Sequence, residues 1–332
     1  MRDDIIKFLF QFFFLFLQAV RNSLISGNET IKMALTIAVG GRVWRKFFKT
    51  FPFRSNSALK RFPTCRANGR LYSTSSDVVL VRKDEESGIA TVRMNNPPVN
   101  SLNPTLMVAL RSCFEELEKD KTCRALILTS QKPKVFSAGL DILQLYQKSP
   151  DHVAQFWEKV QDMWLALYGS RLITMAAING HCPAAGCLLG LACDYRIMAE
   201  GNFRIGLNET QLDLVAPFWL RQTMIDVIGY RQAEMALMIG ALYPSDKALQ
   251  LGLVDKLAPI EDVQTVAEEE VKNWLKIPDQ ARAITKMASR KPLLDELRRR
   301  KQEDIQTFRD ETTRESVQKS IQQYLEKLKA KK

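Results

Sequence analysis

Histidine is almost missing from this chain: 332 residues hold only His152 and His181. A Ser-His-Asp or Cys-His nucleophilic site needs an imidazole oriented by an acid. His152 follows Pro150-Asp151 at an expected helix start and reads as a surface residue. His181 lies in a loop, where a structural role is the first reading and lining a site the second. The six cysteines form no CxxC pair and no regular framework, which argues for a reduced compartment. Cys182, Cys187 and Cys193 lie close together without a paired histidine, so they read as small packing residues and not as metal ligands. Long apolar runs are also lacking. The stretch Phe8–Leu17, even extended through Val20, falls short of the ~20 residues a spanning helix needs. No stable membrane span is therefore expected. It has the length of a signal-peptide core, but an upstream start with Met33 as the working initiator fits better. No internal repeat is evident, nor any low-complexity tract after residue 72.

Basic charge is present, but not where a nucleic-acid binder needs it. The net charge of +11 is concentrated in residues 1–72, which hold 13 Lys/Arg against 3 Asp/Glu. The other 260 residues carry +1, without a basic stripe interleaved with aromatics, so nucleic-acid partners are not expected. Residues 33–72 contain nine Lys/Arg and no acid. Arg-rich, acid-free sequence of this kind fits a mitochondrial presequence, and Arg70-Leu71-Tyr72 before Ser73 fits a processing point. The expected organisation is a targeting segment over 1–72, a core over 73–262 and a helical region over 263–332, with the mitochondrial matrix as destination.

Within the core, β-branched runs at 78–82 and 89–94 flank a charged turn ending in Gly88, a hairpin signal. Asn103-Pro104 caps a helix carrying Leu106, Leu110, Cys113, Phe114 and Leu117 at helical spacing. Residues 125–129 then read as a strand. The theme recurs with a strand at 172–178, a small-residue buried helix at 184–193 and a strand at 194–198. Beyond Pro217 the pattern is helical at 232–239, 245–251, 263–274 and 279–288. The segment 293–332 is charged, with sparse apolar positions, and reads as a solvated tail or as an arm against another subunit. Phe156, Trp157 and Trp164 read as core or as a wall of a ligand pocket.

Three stretches carry chemistry. In Phe136-Ser-Ala-Gly-Leu-Asp-Ile142 a small-residue turn follows a strand and is expected to open a helix at Asp141, leaving amides free to donate. In Ile178-Asn-Gly-His-Cys-Pro-Ala-Ala-Gly-Cys187 an apolar strand runs into a second helix N-terminus, which favours developing negative charge. In Ile205-Gly-Leu-Asn-Glu-Thr-Gln-Leu212 one acid, Glu209, stands among apolar residues. Such surroundings raise a carboxyl pKa and make a base for carbon acids. Taken together, two donor turns and one carboxylate are the minimum for enolising a thioester.

In order and spacing these motifs, with CDYRI after the second and APFW after the third, resemble the enoyl-CoA hydratase/isomerase (crotonase) family from about Asp77 to the C-terminus. The last stretch resembles its isomerase branch, which acts on 3-enoyl-CoA. The resemblance implies an α/β crotonase-type spiral of ββα units, with C-terminal helices that build a homotrimer. It assigns the oxyanion-hole amides to Leu140 and Ala185, the catalytic acid/base to Glu209, and the acyl-CoA surface to Ala138, Gly139, Asp141, Ile142 and Asn208. Ala185 is a departure, since the family usually has glycine there; its amide remains, and its methyl stands to crowd the thioester. Hydratases of the family carry a second glutamate where this chain has Leu188, which favours isomerisation of 3-cis- or 3-trans-enoyl-CoA to the 2-trans isomer in β-oxidation. The implied partner is a fatty enoyl-CoA thioester, with no metal and no cofactor beyond the CoA of the substrate. A hydratase or thioester hydrolase on the same fold, and a non-catalytic acyl-CoA binder, are the rivals. Lys291, Arg298, Arg299 and Arg300 read as a solvated helix face, with contact to a CoA phosphate as the alternative for them and for Lys286.

Overall fold

The computed structural model describes residues 70–72 and 78–330; the rest of the 1–72 segment, the processing point at Ser73 and the apolar run at 8–20 lie outside the described residues. Two antiparallel strands open the described core, β2 (Val79–Asp84) and β3 (Ile89–Met94), preceded by β1 (Arg70–Tyr72) along the outer edge of β2. Next come α1 (Pro104–Lys119), β4 (Ala125–Ser130), β5 (Lys134–Val135) and α2 (Pro150–Tyr168). The chain continues through β6 (Ile173–Ile178), β7 (Gly180–Pro183), α3 (Ala185–Ala192), β8 (Tyr195–Ala199), β9 (Arg204–Gly206) and a 3-10 turn at Glu209–Leu212. The remainder is α4 (Phe218–Ile228), α5 (Tyr230–Ile239), β10 (Tyr243–Pro244), α6 (Ser245–Leu251), β11 (Lys256–Ala258), α7 (Val263–Trp274), α8 (Asp279–Thr312) and α9 (Glu315–Ala330).

Among the described residues the strands form a seven-stranded sheet ordered β1-β2-β3-β4-β6-β8-β11 and a four-stranded sheet ordered β10-β9-β7-β5. From β3 to β11 the large sheet is parallel. The chain thus repeats one unit three times: a strand in the large sheet, a strand in the small sheet, then a helix. This is the ββα spiral expected from the resemblance. In each repeat the small-sheet strand runs directly into one of the three chemical stretches: β5 into 136–142, β7 into the start of α3, and β9 into the turn at Glu209.

Alternation along the strands explains the layering. Leu126, Leu128, Ala176, Ile178 and Met198 face the main core, whereas Ile127, Ile173, Met175, Ala177 and Ile197 face a second cluster closed by Val263, Ala267 and Val271 of α7. Both faces of β4 and β6 are covered, so these strands are buried throughout. Asn103 accepts a hydrogen bond from the Leu106 N–H at the start of α1, with Pro104 at the first helical position. Phe156, Trp157 and Trp164 on α2 are all at most 2% exposed and belong to the core.

Two expectations are corrected by the C-terminal helices. Helix α8 does not stop before Pro292 but runs through it for 34 residues. The hydrogen bond lost at the proline is outweighed by the burial of Leu293, Leu294 and Leu297, as α8 packs along α2. Secondly, the sparse apolar positions of the last segment pack against this chain itself. Phe308 stacks on Trp157 with ring centroids 3.6 Å apart, and Ile305, Val317 and Ile321 are buried in the main core. The helix breaks at Thr313–Arg314, and α9 turns back toward the ends of the spiral units, where it meets the Glu209–Leu212 turn.

Candidate active site

The first turn is fixed on both sides of one free amide. Leu102 donates its N–H to Gly139 O (2.8 Å), and Asp141 donates to Leu102 O (3.2 Å), which leaves Leu140 between two tied neighbours. Ser137 Oγ accepts from the Gly139 N–H and donates to Asn100 O. Gly139 has φ +90, a conformation that glycine adopts without strain. The helix expected at Asp141 is only a three-residue 3-10 turn, Ile142–Gln144. Asp141 caps that turn, accepting from the Leu143 N–H and from Gln144 Nε2 at 3.2 Å each, so its carboxylate serves the loop.

The second turn enters α3 through Ala184, at φ 50 and ψ −126, with no side-chain cap on the helix. Among the described residues neither the Leu140 nor the Ala185 N–H has a protein acceptor. An uncapped helix start presents such amides and the positive end of the helix dipole. The two turns touch. A Cβ added at Gly139 would lie 2.9 Å from Ala184 Cβ and 3.3 Å from Ala185 N; one added at Gly186 would lie 2.6 Å from Ser137 O. Glycine at both positions is what lets the two donors stand side by side. Ala185 itself is 3% exposed and packed in the main core. Leu188, one helical turn on, is likewise buried.

The third stretch is tied to the second by the Ala184 N–H, which donates to Gly206 O at 2.8 Å. Glu209 opens the 3-10 turn, which is held from beyond by α5: Thr210 Oγ1 donates to Leu237 O, and Gln211 Nε2 donates to Gly240 O. As a residue Glu209 is half-buried, yet its Oε2 is fully buried and has no partner among the described residues. Burial without a compensating cation pushes its carboxyl up to about 7, opposed only by a hydrogen bond from its own backbone. The Cys187 thiol in α3 is pushed up, first by its own burial and then by the Glu209 charge. Asn208 Oδ1 is a second buried oxygen without a partner among the described residues.

These elements enclose a cavity of about 280 Å³. Ala138, Leu140, Ile142, Asn208 and Glu209 line it, as the sequence led one to expect; Gly139, Asp141 and Ala185 do not. Pro183, Ala184, Leu145, Leu212 and Leu214 add apolar wall. Sequence reasoning missed the last wall entirely: Ser320, Gln323, Tyr324 and Lys327 of α9. The only signal for it was the amphipathic spacing of Val317, Ile321 and Tyr324.

The remaining candidates lie elsewhere. His181 is exposed and accepts the Arg204 N–H at Nδ1, edge-on to Phe203. His152 is half-buried, its Nε2 3.0 Å from Gln144 Oε1. Lys286 is not available to a phosphate: it is buried against Asp194 at 2.9 Å and donates to Leu172 O. Lys291, Arg298 and Arg300 pair with acids of their own helix. Cys182, Cys187 and Cys193 are buried free thiols.

Comparison with known proteins identifies the family. The family model described as enoyl-CoA hydratase/isomerase matches residues 84–331. The mitochondrial enoyl-CoA delta isomerase 1 of Rattus norvegicus is 47% identical over 259 residues, covering 78% of this chain and 90% of the relative. That of Homo sapiens is 48% identical over 258 residues, covering 77% and 85%. The crystal structure of human mitochondrial delta3-delta2-enoyl-CoA isomerase superposes with a TM-score of 0.76 at 47% identity, over 77% of this chain and 100% of that one.

Proposed function

The chain belongs to the enoyl-CoA hydratase/isomerase family, and on that premise we propose that it is an isomerase of β-oxidation, converting 3-cis- and 3-trans-enoyl-CoA to 2-trans-enoyl-CoA. Glu209 takes the C2 proton. The charge that develops on the thioester oxygen is received by the Leu140 and Ala185 amides. Glu209 then returns the proton to C4 of the dienolate, so one carboxylate serves as base and acid in turn. The observation that carries the reading is the Glu209 carboxylate: buried, unpartnered, raised to about 7, and in one cavity with Leu140. Ala138, Ile142 and Asn208 flank the acyl-CoA there; Gly139 acts through close approach of its backbone, and Asp141 by holding the loop.

Addition of water calls for a second carboxylate to hold it, and apolar Leu188 stands where the family's hydratases place one. The thioester itself acidifies C2 and CoA arrives with the substrate, so the reaction calls for neither a metal nor a redox cofactor. The relatives' names place them in mitochondria; together with the acid-free, Arg-rich 33–72 segment this supports a mitochondrial address, in the matrix, for this chain. Homotrimeric assembly fits the exposed apolar side chains of α5, where Tyr230, Met238 and Ile239 are each more than half exposed; a sedimentation mass of one or two chains would exclude it.

The test is incubation with 3-hexenoyl-CoA, following conjugated 2-enoyl thioester by absorbance and product mass. An isomer of unchanged mass is expected, and it should disappear with Glu209→Gln. A mass gain of one water would make the protein a hydratase. Bound thioester without any product would make it a silent binder.

A further inference from the structure

The cavity is closed by an element that carries no chemistry. Helix α9 reaches it from the far end of the chain, and one side chain fastens it there. Gln318 Oε1 accepts the Gln147 N–H at 2.8 Å. Its Nε2 donates to Leu145 O at 3.1 Å and to Thr312 O at 2.8 Å. A single amide thus joins α9, the end of α8 and the segment just after the Leu140 donor. Gln147 sits at φ 51, a left-handed conformation that a side chain other than glycine rarely adopts without support. Leu145, whose carbonyl is held, is itself a wall of the cavity. Below the clamp, Val317 and Ile321 are fully buried; beyond it, Tyr324 and Leu328 are 40% and 42% exposed.

We propose that Gln318 is a positioning residue that latches α9 over the cavity, making the helix the wall against which the distal acyl chain of the substrate packs. The proposal rests on the enoyl-CoA reading above. The donors and Glu209 engage C1 to C4. Carbons further out meet the remaining apolar walls, which are Ile142, Leu145, Leu212, Leu214 and the α9 face bearing Tyr324. A hexenoyl chain extends two carbons past C4 and a dodecenoyl chain eight, so contact with α9 grows with chain length. With the latch cut, α9 is held mainly by Val317 and Ile321 and opens locally.

The experiment compares the wild-type chain, Gln318→Ala and Gln322→Ala, the last a solvent-facing change on the same helix. Hydrogen exchange reads the latch; binding of saturated hexanoyl-CoA and dodecanoyl-CoA by calorimetry reads the wall without turnover. Steady-state kinetics on 3-hexenoyl-CoA and 3-dodecenoyl-CoA read the consequence. For Gln318→Ala the expected results are tenfold faster exchange over 315–330 with α8 unchanged, and dodecanoyl-CoA binding weakened at least fivefold. Hexanoyl-CoA binding should stay within twofold, and KM for the long substrate should rise with kcat within twofold. Gln322→Ala should match wild type throughout. Equal weakening for both chain lengths, or a fall in kcat at constant KM, would overturn the proposal, because Gln318 would then act on the fold or on the Glu209 turn. Absence of isomerisation in the wild type would sink the proposed reaction and leave the two binding measurements to decide the latch.

Discussion

Replacing Glu209 by Gln should abolish turnover and at the same time make the protein more resistant to high pH. The carboxyl is raised from 4.5 to about 7 by burial, so the folded chain keeps its proton over an interval in which the unfolded chain has lost it. Stability contributed through this group is therefore fully present below about pH 4.5 and is lost as pH rises toward about 7, with no further change above that. With about 1.36 kcal/mol per pKa unit, the loss between about pH 5 and about pH 8.5 comes to about 2.5 kcal/mol. Glutamine cannot titrate, so its own desolvation is the same at both pH values. The assay is urea unfolding of wild type and variant at equal protein concentration at each pH. The quantity of interest is the change with pH of the stability difference, in which all shared titrations cancel. Wild type should lose about 2.5 kcal/mol relative to the variant, or about 5 °C in Tm. The same ionisation must appear in kinetics, because the base works only when deprotonated: wild-type kcat/KM should climb with pH to a plateau with its midpoint near 7. Parallel stability curves, or a rate midpoint near 4.5, would refute the argument, since the carboxyl would then be solvated or paired.

Further outcomes follow from the same geometry. Glu209→Gln should lower kcat at least a hundredfold with binding of saturated acyl-CoA nearly intact, and retention of more than about one-tenth of the rate would count against a positioned acid–base group. Gly186→Ala drives a methyl into Ser137 O and parts the two donor turns; kcat/KM should fall about a hundredfold, the typical effect of losing one oxyanion donor, with only about 1–3 kcal/mol lost from unfolding stability. Asp194→Asn leaves the Lys286 cation, its side chain buried, and the half-buried Arg290 cation without their shared carboxylate, which should cost about 3–5 kcal/mol in urea unfolding. Asp304→Leu removes the one acceptor shared by Trp157, Trp219 and Gln161; it should destabilise by about 1–3 kcal/mol per orphaned donor and shift the tryptophan emission.

Long periodic elements were legible in the sequence because burial on one face writes the period directly: α1, with its Asn103-Pro104 cap, and α6 and α7 end where the pattern does. The small sheet was not legible, since β5, β9 and β10 have two or three residues each and so carry no period. The small-residue turn was expected to open a helix at Asp141, yet only a three-residue 3-10 turn, Ile142–Gln144, follows it. Gln147 is left-handed and Ser149 before Pro150 is extended, so the 3-10 turn does not run on into α2. Pro292 misled in the other direction: it marked an end that packing against α2 overrides. The three chemical stretches were recognisable as a set, yet only three-dimensional contact reveals that Asp141 serves the loop, that the Ala185 methyl belongs to the core and that α9 supplies a wall.

The position of α9 makes the cavity sensitive to the integrity of the whole chain. Its walls are drawn from Ala138 to Lys327, and the last of them is made by Ser320, Gln323, Tyr324 and Lys327 of α9. A chain folded only through Glu209 would hold the donors and the base, but its cavity would lack the α9 wall. Clipping between α8 and α9, or a premature stop after Thr312, would spare the donors and the base and still leave a cleft open to water. The groups that move the proton and the helix that walls their cavity are thus separated by more than a hundred residues of sequence.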